Sequence, residues 1–412
     1  MTEHNMNSHN SSFNDRRAML AGIGGLAAGA ILTGRAQAGP LDPPPGPIAP
    51  TGKPLNELEP RIAINSTNTP GDADSMFKII APGSYYLTAN VIPILGKHGI
   101  KVSASGVTID MNGLMMRGLG TISGAFDAII ADNGEERIVV RNGHIENMGR
   151  NGINLENAAK CTVEHVRAYL CQASGILVGT NGYLHQCDSS DHNSRGIKAG
   201  SDSMIIACAA TGNGIWGFYT DSRCTLQDCT ATSNSGSGFS ASAFGNRFVN
   251  CQANLNGGTG ILTDSGSIHD CIAMFNSASG IQAGLNSLVR HCRCFQNTTH
   301  GILVSSDCTL LENNCAANGL SNDGAGIRVD NSDNRIEGNH CIDNAIGLRV
   351  SGSRNLIIRN SCARNTNLNW SIDANNHYGP ILNRVGVGVA AVSGNFSPSS
   401  LESTDPHANF TY

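Results

Sequence analysis

A glycine–hydrophobic pair recurs along this chain at a nearly constant interval. It begins at Gly152-Ile153 and returns at Gly175-Ile176, Gly196-Ile197, Gly217-Phe218, Gly238-Phe239, Gly260-Ile261, Gly280-Ile281, Gly301-Ile302, Gly326-Ile327 and Gly347-Leu348. The intervals are 23, 21, 21, 21, 22, 20, 21, 25 and 21 residues. A period this regular marks a solenoid, in which each repeat packs only on its neighbours. Each pair opens a short alternating segment, so Ile197 and Ala199 share one side while Lys198 takes the other. Period two is the period of a strand. One inward ladder therefore runs through Ile153, Ile176, Ile197, Phe218 and Phe239, and a second through Leu155, Val178, Ala199 and Thr220. In-register stacking places each rung about 4.8 Å above the last.

Cysteine repeats the same register at Cys187, Cys208, Cys229, Cys251, Cys271 and Cys292. An asparagine follows five residues later at Asn213, Asn234, Asn256, Asn276 and Asn297, and stacked asparagines at a tight turn can hydrogen-bond along the column. The later turns shift to Cys341…Asn344 and Cys362…Asn365. No amphipathic helical stretch lies between the strands, which excludes leucine-rich repeats, and the calcium-binding nonapeptide is absent. The pattern continues upstream through Val107–Asp110 and Arg137–Gly143. The expected fold is all-β: a single-stranded right-handed parallel β-helix, a three-sheet solenoid of about 12 turns of about 21 residues, roughly 60 Å long.

Composition fits that fold. Charged residues are 14% and aromatics 5%, against 49 glycines, which suits many turns and small core side chains. The net charge is -5, and removing residues 1–38 takes away three basic and two acidic residues to leave -6. Without a basic run, nucleic acid is not an expected partner.

The first 38 residues read as a targeting segment. Arg16-Arg17 precede an apolar run to Leu32, then Arg35 and the small-x-small site Ala36-Gln37-Ala38. The segment resembles a twin-arginine signal, although Asp15 and Met19 depart from the usual flanking residues. The resemblance implies export of the folded chain by the twin-arginine translocase, an extracytoplasmic location and no transmembrane anchor after cleavage. Residues 39–74 read as a Pro-rich linker and lead-in, 75–365 as the β-helix, and 366–412 as a C-terminal cap.

Fourteen cysteines in an exported chain invite a disulfide reading. Stacked neighbours, however, hold their Cβ atoms about 4.8 Å apart, beyond bridging reach, so free buried thiols are expected. His291-Cys292-Arg293-Cys294, with His269 and His300 nearby, is the alternative as a metal site. In a strand His291 points away from the two cysteines, and no metal is expected.

The segments Pro82–Leu87, Val107–Gly113 and Tyr378–Ile381 carry a resemblance to the pectate-lyase-like superfamily. That resemblance implies the fold, and a functional site on an outer face built from adjacent turns. It does not imply one activity. Polygalacturonase motifs are missing apart from an echo in Arg195-Gly196-Ile197-Lys198. Calcium-dependent lyases need an acidic cluster, for which Asp191, Asp202 and Asp221 are the candidates; otherwise no cofactor is expected.

Lys198 and Tyr219 are outward neighbours, flanked by Arg195 and Trp216 one turn apart, with Asp188, Asp191, His192 and Asp221 close in sequence. This cluster would suit an acidic sugar. Trp216 would stack on a ring, with Asp191 and Asp221 as further substrate contacts. Lys198 and Arg195 would neutralise a uronate carboxylate, while His192 or Tyr219 moves a proton in β-elimination. The expectation is an exported protein that binds or processes polysaccharide. The alternatives are a non-catalytic surface rod that binds glycan or protein, and an accessory protein like the β-helix proteins of copper-site maturation.

Overall fold

The computed structural model describes residues 59–320, 324–383 and 403–412. The expected leader and residues 39–58 of the linker lie outside the described residues. Three stacks of short parallel strands wind into a right-handed solenoid of about 15 turns. This exceeds the about 12 expected: rungs at Ser75–Ile79, His98–Val102 and Ile129–Ala131 precede the recurring pairs, and one at Leu368–Ile372 follows them. Among the described residues the only helical segment is a 3-10 turn at Gly120–Ser123, so no helix is long and apolar enough to cross a membrane.

One turn shows how the sequence builds the coil. Ile197–Ala199 lies in the first sheet, Met204–Ile206 in the second and Ala209–Thr211 in the third. Between these strands sit three residues with left-handed backbones: Asp202 (φ 62°), Ala207 (φ 51°) and Gly212 (φ 68°). Each makes a sharp corner, and the residue after it, Ser203, Cys208 or Asn213, turns inward and is buried. A corner interrupts the strand ladder, so the backbone N–H of the preceding turn needs another acceptor. The buried side chain supplies it. Gly182 N–H donates to Ser203 Oγ (2.9 Å), Cys187 N–H to Cys208 Sγ (3.4 Å) and His192 N–H to Asn213 Oδ1 (3.2 Å).

Serine, cysteine and asparagine are thus alternative solutions to one demand. The cysteine column continues as Asn313, Asn339 and Asn360, with Cys292 N–H donating to Asn313 Oδ1 at 2.9 Å. Cys341 and Cys362 do not belong to that column, as the sequence register suggested. They sit inside the third sheet, stacked with Cys294 and Cys315. All fourteen cysteines are free and buried.

The first-sheet pairing follows the inward ladder, with Ile176 opposite Ile153 and Ile197, and Phe218 opposite Phe239. The two phenylalanine rings stack at 4.8 Å and 11°. The glycine before each strand is forced by close approach. A Cβ on Gly196 would lie 2.7 Å from both Gly217 O and Asn213 Nδ2.

Beyond residue 365 the coil goes on. Leu368–Ile372 adds a first-sheet rung, with Trp370 opposite Leu348. The terminal strand Asn409–Thr411 then inserts into the third sheet between Ser361–Ala363 and Ile381–Asn383, out of chain order. Asn409 takes the corner position there, and its Oδ1 accepts the Asn360 N–H at 2.9 Å.

Candidate functional site

The first sheet's outer face carries the densest group of aromatic and charged side chains predicted from sequence. Lys198 pairs with Tyr219 in register, while Arg195 and Trp216 occupy the segment that leads into each strand. At that leading position the turns on either side carry Ser174 and Ser237, and the more distant ones Asn151, Thr259, Ser279, His300, Ala325 and Ile346. Trp216 and Tyr219 stack at 4.9 Å and 21°. The Arg195 guanidinium lies over both rings, 5.1 Å from Trp216 and 5.0 Å from Tyr219. Its Nε is buried without a hydrogen-bond partner. Lys198 Nζ sits 5.9 Å from the Tyr219 ring and forms an ion pair with Glu156, two turns earlier. The Tyr219 hydroxyl bonds Ser242 Oγ at 2.8 Å.

Most cations on this face are balanced. Lys78 pairs with Asp72, Lys101 with Asp132 and Arg328 with Asp330. Arg195 is held by aromatic faces instead, an arrangement worth roughly 0.5–2 kcal/mol that leaves its positive field uncompensated. Glu156 and Ser242 are members of the cluster that the sequence reading missed. Each directly follows an inward first-sheet residue, Leu155 or Ala241.

Three sequence candidates are placed differently. His192 is buried and belongs to a corner. Its Nδ1 accepts the Cys171 N–H at 3.0 Å, which leaves the proton on Nε2, 3.1 Å from Ser189 Oγ. Burial pushes its pKa down to about 4. It is a neutral structural acceptor turned into the coil, and it does not reach the face that carries Lys198. The left-handed residue Asp191 sits across the corner, on the third sheet's side with Asp188. Asp221 follows the strand Phe218–Thr220, and its N–H donates to Ala199 O. The acidic trio does not converge, since Asp202 forms a two-point ion pair with Arg223 at 2.6 and 2.7 Å.

The histidines near Cys292 likewise lie apart. His269 accepts from Arg290 Nε in the second sheet, and exposed His291 lies between Asp270 and Glu312 at a corner. His300 accepts the Ala325 N–H ahead of the first sheet. Among the described residues no group of three or more His, Cys, Asp or Glu side chains is placed to hold a metal. Burial raises the thiols of Cys224 to about 11 and Cys171 to about 12, which opposes the thiolate form that soft metals require.

Residues 127–272 match the family described as right handed beta helix region. Residues 253–396 match the family described as periplasmic copper-binding protein (NosD), while the cysteines are buried and no group of side chains among the described residues is placed to hold a metal. No curated protein matches the chain by sequence. Among solved structures, the chain is similar to the A-module of Azotobacter vinelandii mannuronan C-5 epimerase AlgE4. The identity is 16%, over 73% of this chain and 90% of that one, with a TM-score of 0.50. The AlgE6 A-module of the same organism is 14% identical, over 80% and 90% of the two chains, with a TM-score of 0.48. At such identities the likeness is one of fold, and the shared fold is the right-handed parallel β-helix.

Proposed function

We propose that this chain is an extracytoplasmic glycan-binding protein that holds an acidic polysaccharide along the outer face of its first sheet. The observation that carries this reading is Arg195, stacked over Trp216 and Tyr219 with no carboxylate partner. Aromatic rings offer apolar faces to sugar rings, and an uncompensated guanidinium selects a carboxylate among hydroxyls. Lys198 and Glu156 extend the polar strip toward the preceding turns. A solved fold neighbour is named for its action on mannuronan. With His192 inside the coil, Tyr219 is the remaining group of the predicted set that could take a proton on this face. Binding therefore explains the geometry with fewer demands than β-elimination.

The test is titration of the protein with pectate, alginate and a neutral glucan of similar length at two ionic strengths. Acidic chains should bind and the neutral one should not. Trp216→Ala should weaken binding about three- to tenfold, and Arg195→Gln should reduce its salt dependence. Equal binding of acidic and neutral chains, or variants that bind like the parent, would overturn the proposal. The appearance of unsaturated ends in the same incubations, lost in Tyr219→Phe, would replace simple binding by lyase chemistry at this site.

A further inference from the structure

We infer that the third sheet carries a second, separate saccharide site, selective for neutral, hydroxyl-rich sugar. A groove of about 530 Å³ runs across its outer face. The groove has a plain origin in sequence. Two outward columns stand side by side: His144, Arg167, Asp188 and Ala209 in one, and Glu146, Tyr169, Ser190 and Thr211 in the other. Both columns begin with long side chains and end with short ones, so the surface steps down from Arg167 and Tyr169 onto Ala209 and Ser190.

The lining chemistry chooses the occupant. Arg117 pairs with Glu146 at 2.9 Å and Arg167 with Asp188 at 3.2 Å, so the guanidinium groups are already balanced. Asp191 adds a third carboxylate at the groove's edge. A uronate, sulfate or phosphate would meet net negative charge here, the reverse of the first-sheet face. An apolar peptide would desolvate these ion pairs without replacing their hydrogen bonds. Vicinal hydroxyls do replace them, donating to carboxylate oxygens and accepting from guanidinium N–H groups. The Tyr169 ring, 43% exposed on the groove wall, offers the apolar face that a pyranose covers. The two sites lie on either side of one corner, Asp191–Arg195, and they differ in the sign of the charge they accept.

The experiment uses the full chain and neutral β-1,4-linked hexasaccharides of glucose, mannose and xylose, followed by calorimetry and saturation-transfer NMR. At least one should bind, and pectate should not compete with it. Tyr169→Ala should weaken binding about three- to tenfold. Thr211→Trp, which fills the groove with an outward side chain, should abolish it, and Trp216→Ala should leave it unchanged. Melting curves check that each variant is folded. The inference is overturned if none of the three binds at millimolar concentration, or if binding survives Thr211→Trp. It is equally overturned if the loss follows Trp216→Ala. Since acidic-chain binding is read through Trp216 and Arg195, either site can fail without the other.

Discussion

Asn256→Ala tests the claim that corner side chains hold the coil together by accepting and returning backbone hydrogen bonds. Asn256 is completely buried. Its Nδ2 donates to Ala231 O (3.2 Å) and to Asn276 Oδ1 (2.9 Å), and its Oδ1 accepts from Asn234 N–H (3.1 Å) and Asn234 Nδ2 (2.9 Å). Alanine removes all four. Asn234 Nδ2 keeps Ala210 O, and Asn276 Oδ1 keeps the Asn256 N–H. The Asn234 backbone N–H, however, loses its acceptor. An orphaned buried donor costs about 1–3 kcal/mol and each of the three further lost bonds about 1 kcal/mol, so a loss of roughly 4–6 kcal/mol is expected. Asn254 supplies the control. It lies two residues away in the same turn, and its Oδ1 is buried without a partner. Asn254→Ala should cost less than about 1 kcal/mol. Guanidinium denaturation measures both. A repeat array can lose cooperativity, so amide exchange at Asn234 gives the local reading. Equal costs for the two variants, or an unchanged Asn234 exchange rate, would refute the reasoning.

Histidine 192 should make the fold acid-sensitive. Its pKa is about 4 when folded and about 6.5 when unfolded, so the unfolded chain binds the extra proton between those values. Its contribution, at most about 3 kcal/mol, is present above pH 6.5 and is lost as pH falls toward 4. His192→Asn, which restores the column's usual amide, should flatten the melting-temperature profile in that window, and an unchanged profile would count against the assignment. His300, also held near 4, retains its own share of the slope. Asn409→Ala should cost about 1–3 kcal/mol by orphaning the Asn360 N–H, and it should open residues 403–412 to proteolysis. The fourteen thiols should react with a disulfide reagent only after unfolding, since all are buried; rapid reaction of several in the native chain would contradict the corner assignments.

The inward columns were legible because strand parity after each glycine admits one solution. Ile197 goes in, Lys198 out and Ala199 in, and the pairing with Phe218, Tyr219 and Thr220 follows it. His192 was misread because parity does not survive a left-handed residue. Asp191 (φ 56°) resets the alternation, so His192 turns inward where an unbroken strand count gives no such instruction. The same reset sends Asp191 to the third sheet's side. The double role of cysteine was half legible. Its period showed burial, but the equivalence of Cys292 and Asn313 appears only when the Cys292 N–H is seen donating to Asn313 Oδ1. The inserted strand Asn409–Thr411 had no signal, because pairing out of chain order leaves no period.

These corners also explain where function can reside on such a chain. Stability is built from inward columns and buried corner side chains, each linked one turn up and one turn down. Outward positions carry none of that load and can vary freely between turns. A bulky outward side chain is therefore informative where its column is otherwise small. Tyr219 pairs in register with Ser240, and Tyr169 stands above Ser190 and Thr211. Leaving large aromatic rings on a water-facing sheet gains the fold little, since the turns beside them manage with serine. The two proposed saccharide sites give the rings at Trp216, Tyr219 and Tyr169 a use, and the charges beside them distinguish the two proposed occupants.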